Sequence, residues 1–113
     1  MQLKDILTQV KNNGGLTLNK NLQQVNNNKG YYVSIAGREV VFDNLKKLTS
    51  DMLKEYQKTT KDNAFIGFWL DNQKLYLDNS VLVKSKRQAL KLAKQNYQLA
   101  IYDCKNNSTI YID

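Results

Sequence analysis

Phe65-Ile66-Gly67-Phe68-Trp69-Leu70-Asp71-Asn72-Gln73-Lys74-Leu75-Tyr76-Leu77-Asp78 is the stretch that decides the fold. Two apolar runs flank Asp71-Asn72-Gln73, a segment of turn formers, so the whole reads as a β-hairpin. Phe65 to Leu70 is apolar on both faces, which predicts a central strand with Trp69 in the core. Lys74 to Asp78 alternates, turning Tyr76 to the face opposite Leu75 and Leu77.

Toward the amino terminus, Leu45, Leu48, Met52, Leu53 and Tyr56 form one apolar stripe, predicting a long helix capped by Asp43 or Asn44 and running to about residue 59. Before it, Tyr31 to Ile35 and Val40 to Phe42 flank Ala36-Gly37-Arg38 and read as another hairpin. The segment from Asn19 to Gly30, with three consecutive asparagines at Asn26 to Asn28, reads as a loop. Leu16-Thr17-Leu18 reads as a brief strand. Leu3, Ile6, Leu7 and Val10 recur at helical spacing, and Asn12-Asn13-Gly14-Gly15 ends that helix. Toward the carboxyl terminus, Ser85 with Gln88 makes a capping box for a helix to about Asn96. A last hairpin joins Gln98 to Asp103 with Thr109 to Ile112 around Lys105 to Ser108. Hairpins separated by helices imply an α+β fold, a mainly antiparallel sheet built of β-hairpins with about three helices packed on it.

A chain of 113 residues that is 42% apolar is expected to form one domain, residues 1–113. The start, Met1-Gln2-Leu3-Lys4-Asp5, has no leader pattern, and the longest apolar stretch, Ala64 to Leu70, is too short for a bilayer. A cytoplasmic protein with no membrane partner is expected. There is no histidine and one cysteine, Cys104, so zinc, haem and a disulfide within the chain are not expected, and no cofactor or metal is assigned. Lacking the commonest general base, the chain reads as a non-enzyme. Cys104, at a strand end beside a polar turn, reads as an incidental small residue. Asp71 and Asp78 bracket the central hairpin and could meet across it around a divalent cation, but solvated turn aspartates explain them equally well.

Seventeen basic against ten acidic side chains leave a net charge of +7, which favours encounter with nucleic acid, an acidic protein surface or an anionic membrane. Lysine dominates that count and proline is absent, as expected of an AT-rich gene, so clustering is more informative than the total. From Asn79 to Tyr102 there is no acid, while Lys84, Lys86, Arg87, Lys91 and Lys94 are present. On a helical wheel Arg87, Lys91 and Lys94 share one side, with Lys84 near it, opposite Leu90, Ala93 and Tyr97. Lys47, Lys54 and Lys58 similarly share the outer side of the preceding helix, interrupted by Asp51 and Glu55. A solvated lysine face and a contact with phosphates or carboxylates both fit this pattern. Strand alternation puts Tyr76 and Tyr111 on an outward sheet face, with Tyr102 and Tyr32 able to join them, where they could stack bases or anchor a partner; ordinary cross-strand packing also accounts for them.

Four segments together carry a resemblance: Asn13-Gly14-Gly15-Leu16-Thr17-Leu18-Asn19, Gly30-Tyr31-Tyr32-Val33-Ser34-Ile35-Ala36-Gly37, Ile66-Gly67-Phe68-Trp69-Leu70-Asp71-Asn72, and Asn96-Tyr97-Gln98-Leu99-Ala100-Ile101-Tyr102-Asp103. The chain resembles small accessory proteins of phages, plasmids and conjugative elements of low-GC Gram-positive bacteria, anti-CRISPR proteins among them. The resemblance implies a protein of the bacterial host cytoplasm that binds and inhibits a host defence complex, a CRISPR effector nuclease or its guide RNA complex, by blocking nucleic-acid binding or activation. A strongly basic chain is unlike an acidic DNA mimic, so guide RNA or an acidic surface of the nuclease is the implied contact. The alternative is a basic nucleic-acid-binding accessory protein of a mobile genetic element. Exposed hairpin edges would also allow a homodimer.

Overall fold

The computed structural model describes residues 1–112; Asp113, the last residue of the expected domain span, lies outside them. The elements run α1 (Leu3–Asn13), β1 (Gly15–Asn19), β2 (Tyr31–Ser34), β3 (Val40–Phe42), a 3₁₀ turn (Leu45–Lys47), α2 (Ser50–Thr59), β4 (Phe65–Asp71), β5 (Lys74–Val83), α3 (Lys86–Gln95), β6 (Ala100–Asp103) and β7 (Ser108–Tyr111). The strands form an antiparallel sheet in the order β1-β4-β5-β2-β6-β7, with β3 also on β5, and this is the α+β class read from the hairpins. The residues gather into two compact units. One comprises Met1–Val25 with Arg38–Asn79, and the other Asn26–Gly37 with the chain from Ser80 onward.

In the first unit, α1 stops where the sequence says it should. Gly14 takes the left-handed conformation, φ 83°, that glycine adopts without penalty, and its N–H reaches the Val10 carbonyl at 2.8 Å. The chain turns directly into β1, whose Leu16 and Leu18 stand opposite Phe68 and Ile66 of β4. These side chains join Ile6 and Val10 of α1, Leu53 and Tyr56 of α2, and Leu75 and Leu77 of β5 in one buried core. The central hairpin forms around Asn72 and Gln73, both at positive φ (49° and 69°), as a two-residue turn that matches strand twist requires. β4 lies between β1 and β5, as its apolar faces predict.

Trp69 departs from its expected place in the core, remaining 45% exposed. Ile66 and Phe68 take the helix-facing positions, and alternation turns Gly67 and Trp69 to the other side. There the indole lies over Gly15, where a Cβ would stand 3.0 Å from Trp69 Cε3. The first expected hairpin also does not form. β2 pairs with Ser80–Val83 and β3 with Leu75–Leu77, both on β5, because β5 runs on to Val83 and offers more backbone than a short hairpin would. The long helix expected from residue 45 is likewise broken. Asn44 does cap, accepting from the Lys46 N–H at 2.9 Å, but only a 3₁₀ turn; Thr49 then accepts from the Met52 N–H at 3.2 Å and starts α2 afresh. A second capping hydroxyl so close behind the first outcompetes a continuous helix.

In the second unit α3 packs on β2 and β6 through two alanines, Ala89 and Ala93, set against Val33 and Ile101. Ser85 caps it as expected, accepting from the Gln88 N–H at 3.3 Å. β6 and β7 form the last hairpin, with Ile101 opposite Ile110 on the helix side.

Candidate binding surface

Ala89 and Ala93, four residues apart, fix which side of α3 is buried, and everything else about its outer face follows from that register. Lys86, Arg87, Lys91 and Lys94 are exposed, and together with Leu90 they line a shallow depression of 590 Å³. Leu90 was expected on the opposite side. It stands three residues after Arg87 and four before Lys94, and such spacings make neighbours on a helix, so it forms the apolar floor between the cations. Tyr97 also leaves the expected buried stripe. Its backbone turns to φ 56° just past the helix end, and the ring is 89% exposed. Among the described residues the ion pairs are Lys20–Asp62 at 3.1 Å and Lys58–Glu55 at 3.4 Å, neither on α3.

Lys84 precedes the cap and faces a different hollow. With Lys29, Gly30 and the amides of Asn26 to Asn28 it lines a pocket of 370 Å³ over Leu82. The sequence shows that segment only as a polar loop; the signal that could have found it is the run of three amides leading directly into Lys29. In the first unit, Lys54 and Lys58 are exposed on α2, but Lys47 sits on the 3₁₀ turn, outside the register of that helix, so the expected three-lysine row is interrupted. Lys58 is also paired with Glu55.

The tyrosines divide in the same way. Tyr32 and Tyr102 are partners across β2 and β6 and stack with centroids 6.4 Å apart and planes at 28°. Tyr32 Oη accepts from Asn27 Nδ2 at 2.7 Å, and the Tyr102 hydroxyl donates to Asn107 Oδ1 at 3.4 Å. Burial raises both phenolic pKa values. Tyr111, paired with Ala100 two residues from Tyr102, shares their face and is 75% exposed. Val33 and Ile101, next in each strand, point to α3, so the tyrosine face and the basic helix face lie on opposite sides of this unit's sheet. Tyr76 belongs to the first unit, where it pairs with Val41.

Two sequence candidates for chemistry do not assemble. Gly67, not Asp71, is the residue across from Asp78, since a Cβ on Gly67 would overlap the Asp78 carboxylate. Asp71 stands four residues further along β4, about 13 Å away at strand rise, so the two carboxylates do not converge. Among the described residues no three His, Cys, Asp or Glu side chains group as a metal site would need. Cys104 is buried, and burial together with the Asp103 carboxylate pushes its thiol up, away from the reactive thiolate.

Sequence reading missed the role of Arg38, taken only as a turn residue. Its Nε donates to Asn79 Oδ1 at 2.7 Å, and Nη2 donates to Thr59 Oγ1 at 2.9 Å and to the Tyr56 carbonyl at 3.3 Å, with the guanidinium 4.5 Å from the Tyr56 ring centroid. The Tyr56 hydroxyl donates back to the Arg38 carbonyl at 2.8 Å. Burial raises the Tyr56 pKa far beyond the ordinary phenol range, against the opposing pull of Arg38. This is a structural clamp, and only the fold brings its members together. No helix among the described residues is long and apolar enough to cross a membrane. Comparison of the chain with protein-family models, curated proteins and solved structures finds no match.

Proposed function

We propose that this protein is a non-enzymatic binder that lays the outer face of α3 on the phosphates of a nucleic acid held in a host defence complex, the guide RNA complex of a CRISPR effector nuclease, and so blocks that nuclease in the bacterial cytoplasm. The observation that supports the contact is the face itself: Lys86, Arg87, Lys91 and Lys94 around Leu90, with no ion pair on the helix among the described residues. Cations held on one rigid face release counterions from a polyanion without first breaking internal salt bridges. The choice of a CRISPR nuclease rests on the resemblance of the hairpin segments, not on α3.

A second reading, a nucleic-acid-binding accessory protein of a mobile element, draws support from the sheet side of the same unit. There Tyr111 stands exposed beside the Tyr32–Tyr102 stack on an antiparallel sheet, the kind of surface on which unpaired bases stack.

The test is target cleavage by an assembled CRISPR nuclease with its guide, run with the protein and with the Arg87→Glu/Lys91→Glu variant, alongside binding to the naked guide RNA. The expected result is inhibition near stoichiometric protein, weakened about tenfold or more in the variant. Undiminished cleavage with salt-sensitive binding to naked RNA would establish the second reading instead, and absence of both would remove each.

A further inference from the structure

The groove between β3 and α2 is separate from the α3 face and independent of the function proposed for it. β3 pairs with β5 through Val40↔Leu77, Val41↔Tyr76 and Phe42↔Leu75, and β5 is its one strand neighbour among the described residues. Its outer edge therefore presents backbone N–H and C=O groups that another strand can pair. The register turns Val40 and Phe42 to the side of the sheet that carries Leu75 and Leu77, the side on which Leu53 and Tyr56 of α2 pack. α2 does not close over them, for Val40 is 40% and Met52 48% exposed. The gap is a groove of 590 Å³ with Val40, Phe42 and Leu77 on the sheet side and Met52, Tyr56 and Thr59 on the helix side. An extended segment added to β3 would bond main chain to main chain and drop every second side chain into that groove.

Charge says what kind of segment fits. Asp51 and Glu55 line the groove, and Glu39 and Asp43 adjoin β3 at its two ends, so four of the ten acids of a chain with net charge +7 lie on or next to the elements that form it. Among the described residues Glu55 alone of the four has an ion-pair partner, Lys58 at 3.4 Å, and that pair is solvent-exposed and weak. The same acids disfavour self-association. Two copies joined antiparallel through β3 about Val41 would set Glu39 of each against Asp43 of the other, like charges directly opposite across a ladder.

We propose that this groove docks an extended segment of another protein with apolar side chains at alternate positions and lysine or arginine at its flanks, added as a strand to β3. The probe is the end-blocked, fluorescein-labelled peptide Lys-Lys-Val-Thr-Val-Thr-Val-Lys-Lys, titrated with the full chain and read by anisotropy. Saturable binding with Kd on the order of 10–100 µM is expected. Val40→Lys, an exposed position that leaves the core intact, should weaken it about tenfold, and Asp51→Asn with Glu55→Gln about threefold, with thermal melts confirming that each variant folds. Two further peptides, N-methylated on alternate residues so that each loses the donors of one edge, separate strand addition from greasy contact: one should lose binding and the other keep it. The proposal is overturned by absence of saturation at about 1 mM, by equal affinity of Val40→Lys, by both N-methylated peptides binding like the parent, or by a dimer in sedimentation that Val40→Lys abolishes.

Discussion

Asp103 ends β6 by accepting from the Lys105 N–H at 3.0 Å, the Asn106 N–H at 3.3 Å and Asn106 Nδ2 at 2.8 Å. The side-chain bond from Asn106 is the main reason its carboxyl is held below the usual range, with the two backbone donors and Lys86 adding to it against a cost of burial. A carboxylate with a depressed folded pKa contributes stability that is present above the unfolded value, about 4, and lost as pH falls through the folded one. The stability gap between the parent and Asp103→Asn, measured by urea unfolding, should therefore be widest above about pH 4 and close as the pH is lowered further. In the sequence Asp103 is only a strand end before a polar turn. Its three bonds from Lys105 and Asn106 are a local motif, legible in type but not in strength. Trp69 shows the opposite case, in which an apolar residue in an apolar run is turned outward because its neighbours Ile66 and Phe68 take the core positions and Gly15 leaves a shelf for the ring.

Elements are joined here by contacts that no local pattern announces. Arg38 fastens the loop before β3 to the last turn of α2, bonding a terminal helix carbonyl, Thr59 and the buried Asn79 of β5, while Asn79 Nδ2 donates in turn to Thr60 Oγ1 at 3.1 Å and the Phe65 carbonyl at 3.3 Å. Arg38→Ala removes charge-assisted donors from this cluster and should cost about 2 kcal/mol in urea unfolding. Arg38→Lys should recover less than half of that, since one ammonium cannot reproduce a planar fork reaching three acceptors. The same scale explains the errors of sequence reading. Capping residues at Asn44 and Thr49 are both real signals, and which of them starts the helix was settled by Leu48 turning extended into the core (φ −82°, ψ 118°). β2 and β3 have turn formers between them and still do not pair, because a hairpin competes with every other edge in reach and β5 is longer.

The molecule as a whole keeps two buried clusters, one around Ile6, Phe68 and Leu77 and one around Val33, Ala89, Ala93 and Ile101. The second unit carries the surface on which the functional proposal depends, and that dependence is electrostatic. Binding of single-stranded RNA through Lys86, Arg87, Lys91 and Lys94 should fall with salt at a log–log slope of about 3, and Arg87→Glu/Lys91→Glu should cut that slope by about half, read by anisotropy across a salt series. A slope near zero would mean that the α3 face does not hold phosphates. The sequence by itself determined the elements whose causes are local: α1 and its glycine stop, the α3 cap, the hairpins around Asn72-Gln73 and after Asp103, the α+β class, and an acid-free α3. Each depends on residues within a turn or two of one another, where spacing and side-chain chemistry act directly. Tertiary structure alone decided which strands share an edge, that the tyrosine face lies on the far side of the sheet from α3, and that Asp51 and Glu55 of α2 line the groove beside β3. These depend on residues distant in the chain, where the longest buried strand and the best core partner win over the nearest turn.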